Sequence, residues 1–84
     1  MTKIDIYTSP FCGFCYQAKK LFEDKSVSFN EFDIIAQPNL RNEMLERANG
    51  QKTVPQIFID DAHIGGCDDL YSLNAKGELD ALLD

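Results

Sequence analysis

Cys12-Gly13-Phe14-Cys15 is the stretch of this 84-residue chain whose residue types and spacing point most directly to chemistry. It falls between a strand-like alternation and a helix-like periodicity. The first amides of a helix lack intrahelical partners, and the aligned peptide dipoles put partial positive charge at that end. A cysteine placed there is favoured as thiolate, which is the nucleophilic form. Cys15, three residues on, shares the helical face one turn deeper and better buried. The pair therefore suits thiol–disulfide exchange, with Cys12 attacking a disulfide and Cys15 resolving the mixed disulfide that results. Any such pair can also be half of a zinc site, or two inert buried thiols. Lys19 and Lys20 lie too far along the helix to be taken as partners of the thiolate.

Two further stretches could serve that chemistry. Thr53-Val54-Pro55 precedes an apolar run, and a proline entering a strand cannot donate to the ladder. A cis Val54–Pro55 bond would turn the Val54 backbone toward the cysteine pair, ready to pair with an extended peptide-like substrate. A trans proline opening an edge strand is the plainer alternative. Gly65-Gly66-Cys67-Asp68-Asp69 leads glycines into a helix start, where free amides hold a carboxylate and Asp68 could receive an ammonium group. A glycine turn with an acidic cap explains the same residues. Cys67 is either a third redox thiol or a side chain tolerated where only its backbone matters. Cys12, Cys15, His63 and Cys67 also make a conceivable Cys₃His zinc set, although His63 falls on an expected strand and reads more simply as a partly exposed hairpin residue.

The elements that must position these residues follow from periodicity. Lys3–Tyr7 alternates as a strand, with Ile4 and Ile6 on one face. Phe14, Ala18, Leu21 and Phe22 recur at helical spacing over 13–25. Val27–Ile34 reads as a second strand whose alternation slips near Asn30-Glu31, as a bulge would cause. Pro38 suits the first turn of a helix through Leu40, Met44, Leu45 and Ala48, stopped by Asn49-Gly50. Gln56–Ile59, a turn at Asp60-Asp61, and Ala62–Ile64 form a hairpin. Asp68 and Asp69 suit the first turn of a third helix that ends before Gly77, and Leu79, Leu82 and Leu83 make a last short one. Tyr7 is expected in the core, and Phe14 as either a helix anchor or a groove wall. The expected architecture is α/β: a βαβ unit with parallel strands, then a helix, then an antiparallel hairpin, giving a mixed four-stranded sheet flanked by helices.

Composition narrows the function classes. A chain of this length has room for one domain, taken as 1–84. Its 44% hydrophobic and 11% aromatic content can form a core, which argues against disorder. The net charge of −6 and a pI near 4.5 leave no basic footprint for nucleic acid or an anionic membrane, and suggest basic protein partners if any. No apolar run approaches the roughly 18 residues of a membrane span. The start of the chain enters a strand without an apolar leader, so the cytoplasm is the expected compartment. Three cysteines, two of them close together, are no disulfide framework.

The order of strand, C-x-x-C, helix, T-V-P, hairpin and G-G-C-D-D resembles the glutaredoxins along essentially the whole chain. That resemblance implies a thioredoxin fold, a cis proline at Pro55, and a groove holding glutathione beside Cys12. It implies backbone pairing of Val54, with Thr53 alongside, to the cysteinyl part of glutathione. The γ-glutamyl end would meet Gly66, Cys67 and Asp68. Many members carry a lysine shortly before the first cysteine, whereas this chain has Ser9-Pro10-Phe11; Gln37, Arg41 and Lys52 are candidates to meet the glycine carboxylate instead. The implied activity is glutathione-dependent reduction of protein disulfides and of protein–glutathione mixed disulfides, by a monomer and with no resident metal. Gly13-Phe14 departs from the common Cys-Pro-Tyr-Cys motif and resembles the Cys-Gly-Phe-Ser of monothiol members. This makes a [2Fe–2S]-bridged dimer, ligated by Cys12 and glutathione, the alternative. A thioredoxin-type reductant independent of glutathione is a further rival, although the chain lacks tryptophan and the Trp-Cys-Gly-Pro-Cys pattern.

Overall fold

Strand β1 (Ile4–Thr8) is buried along its whole length because it has a strand on either side. In the computed structural model, which describes residues 2–83, it is one of four strands in a single sheet. Strand β2 (Asn30–Asp33) runs parallel to β1, from Asp5 opposite Asn30 to Thr8 opposite Asp33. Strand β3 (Gln56–Ile59) is antiparallel to β1, and β4 (Ala62–Gly65) is antiparallel to β3. A parallel pair needs a crossover, and helix α1 (Gly13–Asp24) supplies it. Helix α2 (Asn39–Arg47) links β2 to β3, while α3 (Cys67–Ala75) and α4 (Glu78–Leu83) follow β4. The expected mixed four-stranded sheet flanked by helices is what forms.

Side-chain alternation sorts two cores onto the two faces. Ile4, Ile6, Ile57 and Ile59 pack with Ala18, Leu21 and Phe22 of α1, Leu70 of α3 and Leu79 of α4. On the other face Tyr7 and Phe58 pack with Met44 of α2 and with Ala48. Burying an aliphatic or aromatic side chain of this kind contributes about 1.5–3 kcal/mol, so both faces hold the sheet.

The second strand is shorter than its sequence suggested, and no bulge lies at Asn30-Glu31. Val27 and Phe29 pack on the first core, whereas Phe32 and Ile34 belong to the second. The apolar positions change face along the segment, which imitates a slipped phase while the register stays regular. The sheet's irregularity lies elsewhere, between Ile57 and Phe58 where β3 meets β4. The hairpin turn is tight, with Asp60 at φ 50° and Asp61 at φ 67°, the paired left-handed geometry that a two-residue loop favours.

A polar seam crosses the second face. Tyr7 is fully buried, yet its hydroxyl donates to Glu43 and accepts from Arg47 Nη1 at 2.9 Å. Arg47 also pairs with buried Asp5 at 3.2 Å and lies over the Phe58 ring at 4.1 Å. Among the described residues, no helix is long and apolar enough to cross a membrane.

Candidate active site

Pro10 disfavours helix at Ser9, and after β1 the chain turns at Pro10 and Phe11 before Cys12. Cys12 is the N-cap of α1, at φ −114° and ψ 108°. Its sulfur takes the place that a serine or aspartate oxygen holds in ordinary caps, accepting the Cys15 N–H at 3.1 Å. An otherwise unpartnered helix amide is thereby aimed at the sulfur. The sulfur also lies 3.5 Å from the Val54 carbonyl, to which its thiol donates. The Val54–Pro55 peptide is cis. The helix start and this turn thus meet at one sulfur atom.

Cys15 lies below, 1% exposed. Burial above all, and then its hydrogen bond and charge interaction with Cys12, push its thiol up to about 12; the Ser9 backbone and Lys19 oppose this and lose. Cys15 is therefore a thiol at neutral pH. Lys19 is tied at 2.9 Å to Glu31, which also accepts from Thr8 at 2.8 Å. Cys67 is buried in the first core, and burial, followed by the charges of Asp68 and Cys12, pushes its thiol up. Its side chain is accordingly part of the packing.

A cleft of about 330 Å³ is lined by Phe14 and by Val54, whose carbonyl meets the Cys12 sulfur. It brings together all six residues expected to contact a ligand: Thr53, Val54, Pro55, Gly66, Cys67 and Asp68. Phe14, 59% exposed, is a wall of that cleft and not a helix anchor. Gly66 must come close to the turn, since a Cβ there would sit 3.4 Å from the Pro55 carbonyl oxygen. Its N–H is already held by Asp69 Oδ2 at 3.0 Å, and the Leu70 N–H meets the Gly66 carbonyl at 3.1 Å, so the amides of Cys67, Asp68 and Asp69 are those of the first turn of α3 without an intrahelical partner.

Gln37, Arg41 and Lys52 do not line the cleft; Gln51 does, and sequence reasoning missed it. Its position two residues before Thr53 was the available signal. His63 is not gathered with the cysteines. Its Nε2 meets Gln56 Oε1 at 2.7 Å and its ring stacks on Phe58, on the second face, whereas Cys67 belongs to the first. The sheet separates the members of the conceivable zinc set.

The sequence model of the Glutaredoxin family matches residues 4–64. Glutaredoxin 3 of Escherichia coli (strain K12) is 53% identical over 83 residues, spanning 99% of this chain and 99% of its own. Among solved structures, a buckwheat glutaredoxin–glutathione complex matches with a TM-score of 0.88 at 28% identity, covering 98% of this chain and 76% of that one. The glutaredoxin of Brucella melitensis matches with a TM-score of 0.84 at 53% identity, covering 99% and 89%. A nucleophile-ready sulfur at a helix start, a cis-proline turn beside it and likeness over the full length agree: the fold is the thioredoxin fold, and the chain belongs to the glutaredoxin family.

Proposed function

We propose that this chain is a glutathione-dependent thiol–disulfide oxidoreductase in which Cys12 is the attacking sulfur and Cys15 the resolving one. The observation that carries this reading is the seat of Cys12, between the Cys15 amide and the Val54 carbonyl at the edge of a cleft, with a protonated thiol beneath it. The family relative solved with glutathione supports the ligand.

On a protein–glutathione mixed disulfide, Cys12 thiolate attacks the glutathione sulfur and the client leaves as a thiol after taking a proton. The glutathionyl group stays on Cys12, lying along Val54 with its amino-acid end at Cys67 and Asp68. A second glutathione, as thiolate, attacks that glutathione sulfur and releases Cys12 with oxidised glutathione. The sum is one mixed disulfide plus one glutathione giving one client thiol plus one oxidised glutathione. On a protein disulfide, Cys12 forms a mixed disulfide with the client. Its negative charge is then gone, and one of the causes holding up the Cys15 thiol goes with it. Cys15 gives its proton to the departing client sulfur, attacks Cys12 and leaves a Cys12–Cys15 disulfide, which two glutathiones reduce.

The clients are proteins bearing disulfides or glutathionylated cysteines, and the setting is a reducing, glutathione-rich compartment such as the cytoplasm. The test is turnover of a glutathionylated peptide with glutathione as the sole reductant. Turnover is expected; a folded, reduced protein that is silent with glutathione but active with another electron donor overturns the glutathione assignment.

The cluster-bridged dimer is the second reading, and Gly13 favours it by leaving open space beside Cys12. Among the described residues, no group of three or more His, Cys, Asp or Glu could hold a metal ion. Those residues of one chain therefore do not make a ligand set by themselves, and a cluster ligated by Cys12 would need glutathione and a second copy. Anaerobic reconstitution that leaves a colourless monomer removes this reading.

A further inference from the structure

Gln56 is the first residue of β3 and is only 1% exposed, an unusual place for a primary amide. Buried polar groups are kept where their hydrogen bonds are satisfied, and this one is satisfied at both ends. Its Nε2 donates to the Thr53 carbonyl at 2.9 Å and to the Thr53 hydroxyl at 3.2 Å. Its Oε1 accepts from His63 Nε2 at 2.7 Å. A carbonyl only accepts, so the amide nitrogen must face Thr53 and the amide oxygen must face His63. The His63 ring is fixed in turn by stacking on Phe58, centroid to centroid 5.0 Å.

Among the described residues, no turn or cap hydrogen bond between backbone groups involves Thr53 or Val54. Yet this turn lines the cleft and presents the Val54 carbonyl to Cys12. We propose that Gln56 is a positioning residue for substrate binding: its side chain clamps the Thr53 end of the turn, and His63 fixes which way the clamp faces. The inference rests on the reading of the cleft as the glutathione site. The Gln56 side chain bonds to Thr53 and His63 and to neither Cys12 nor Cys15, so it acts on how well the glutathionyl group is held and not on the exchange itself.

Gln56→Met keeps the volume and removes all three hydrogen bonds. Losing uniform binding raises KM and leaves kcat alone. With the glutathionylated peptide, KM should rise about fivefold to tenfold, the scale of losing a satisfied buried hydrogen bond, with kcat within about twofold. His63→Phe keeps the stack and removes the donor, so its KM should rise about twofold to threefold. In the double variant KM should equal that of Gln56→Met, because the histidine acts only through the amide. Should Gln56→Met fail to fold, His63→Phe carries the test alone. Unchanged KM, a loss confined to kcat, or additive KM effects would overturn the proposal while wild-type turnover keeps the glutathione reading intact. A wild type without turnover overturns both.

Discussion

Cys15 concentrates much of the chemistry in one buried thiol. Its folded-state value near 12 lies above the ordinary 9.0, so the fold prefers the neutral form. The sign follows: this contribution to stability is fully present below pH 9 and is lost as pH rises toward 12. Tyr7, raised mainly by burial and by its bond to Glu43 against the opposition of Arg47, acts in the same direction. Reduced wild type should lose stability across that alkaline range more steeply than Cys15→Ser, measured by urea unfolding at a series of pH values. Parallel profiles would mean that Cys15 does not sense its burial. At this scale the reactive residues were legible because they are short motifs with fixed spacing. The pairing of Gln56 with His63 was not, since a hydrogen-bonded buried amide has no periodicity and its partners lie outside β3; Gln51 was overlooked although it stands two residues before Thr53.

At the scale of elements, α1 and α3 deliver their first turns to one cleft. Gly13 at the start of α1 has nothing within 4 Å of a would-be Cβ, and Cys12 already has the extended geometry that precedes proline. Gly13→Pro should therefore fold and gain about 0.5–1 kcal/mol by restricting the unfolded chain, read as a higher urea midpoint. Gly65 is the opposite case. Its φ is +117°, and a Cβ would lie 2.2 Å from Asp69 Oδ2, displacing the carboxylate from the Gly66 amide. Gly65→Ala should lose about 1–3 kcal/mol, with a rise in KM for the glutathionylated peptide as the start of α3 shifts. Strands and helices were legible wherever one face alone was apolar, as in α1. They were misjudged at β2, where Val27 and Phe29 serve one core and Phe32 and Ile34 the other. Alternation reports burial, and it cannot say which face is buried when that changes along the segment.

At the scale of the whole molecule, two features act together. Arg47 joins α2, the sheet and the hairpin turn through Tyr7, Asp5 and Asp61. Arg47→Met should lose about 2–3 kcal/mol, since it strips a charged partner from a nearly buried carboxylate, and urea unfolding measures it. The seam was invisible in sequence because its members, Asp5, Tyr7, Glu43, Arg47 and Asp61, are scattered along the chain. The net charge of −6 sets the long-range field. For a lysine-rich glutathionylated peptide kcat/KM should fall with added salt, and for an acidic one it should rise. Equal salt responses would show that the field around the cleft is not the field of the whole surface.

The central claim is that Cys12 takes the glutathionyl group itself. The direct measurement is to mix reduced Cys15→Ser with a glutathionylated peptide in the absence of free glutathione and to locate the adduct by mass spectrometry. The account predicts glutathione on Cys12 and free peptide thiol in equal amounts, with no adduct on Cys67 and none anywhere in Cys12→Ser. Peptide attached to Cys12 with glutathione released, or glutathione bound to the Cys12→Ser variant, would contradict it.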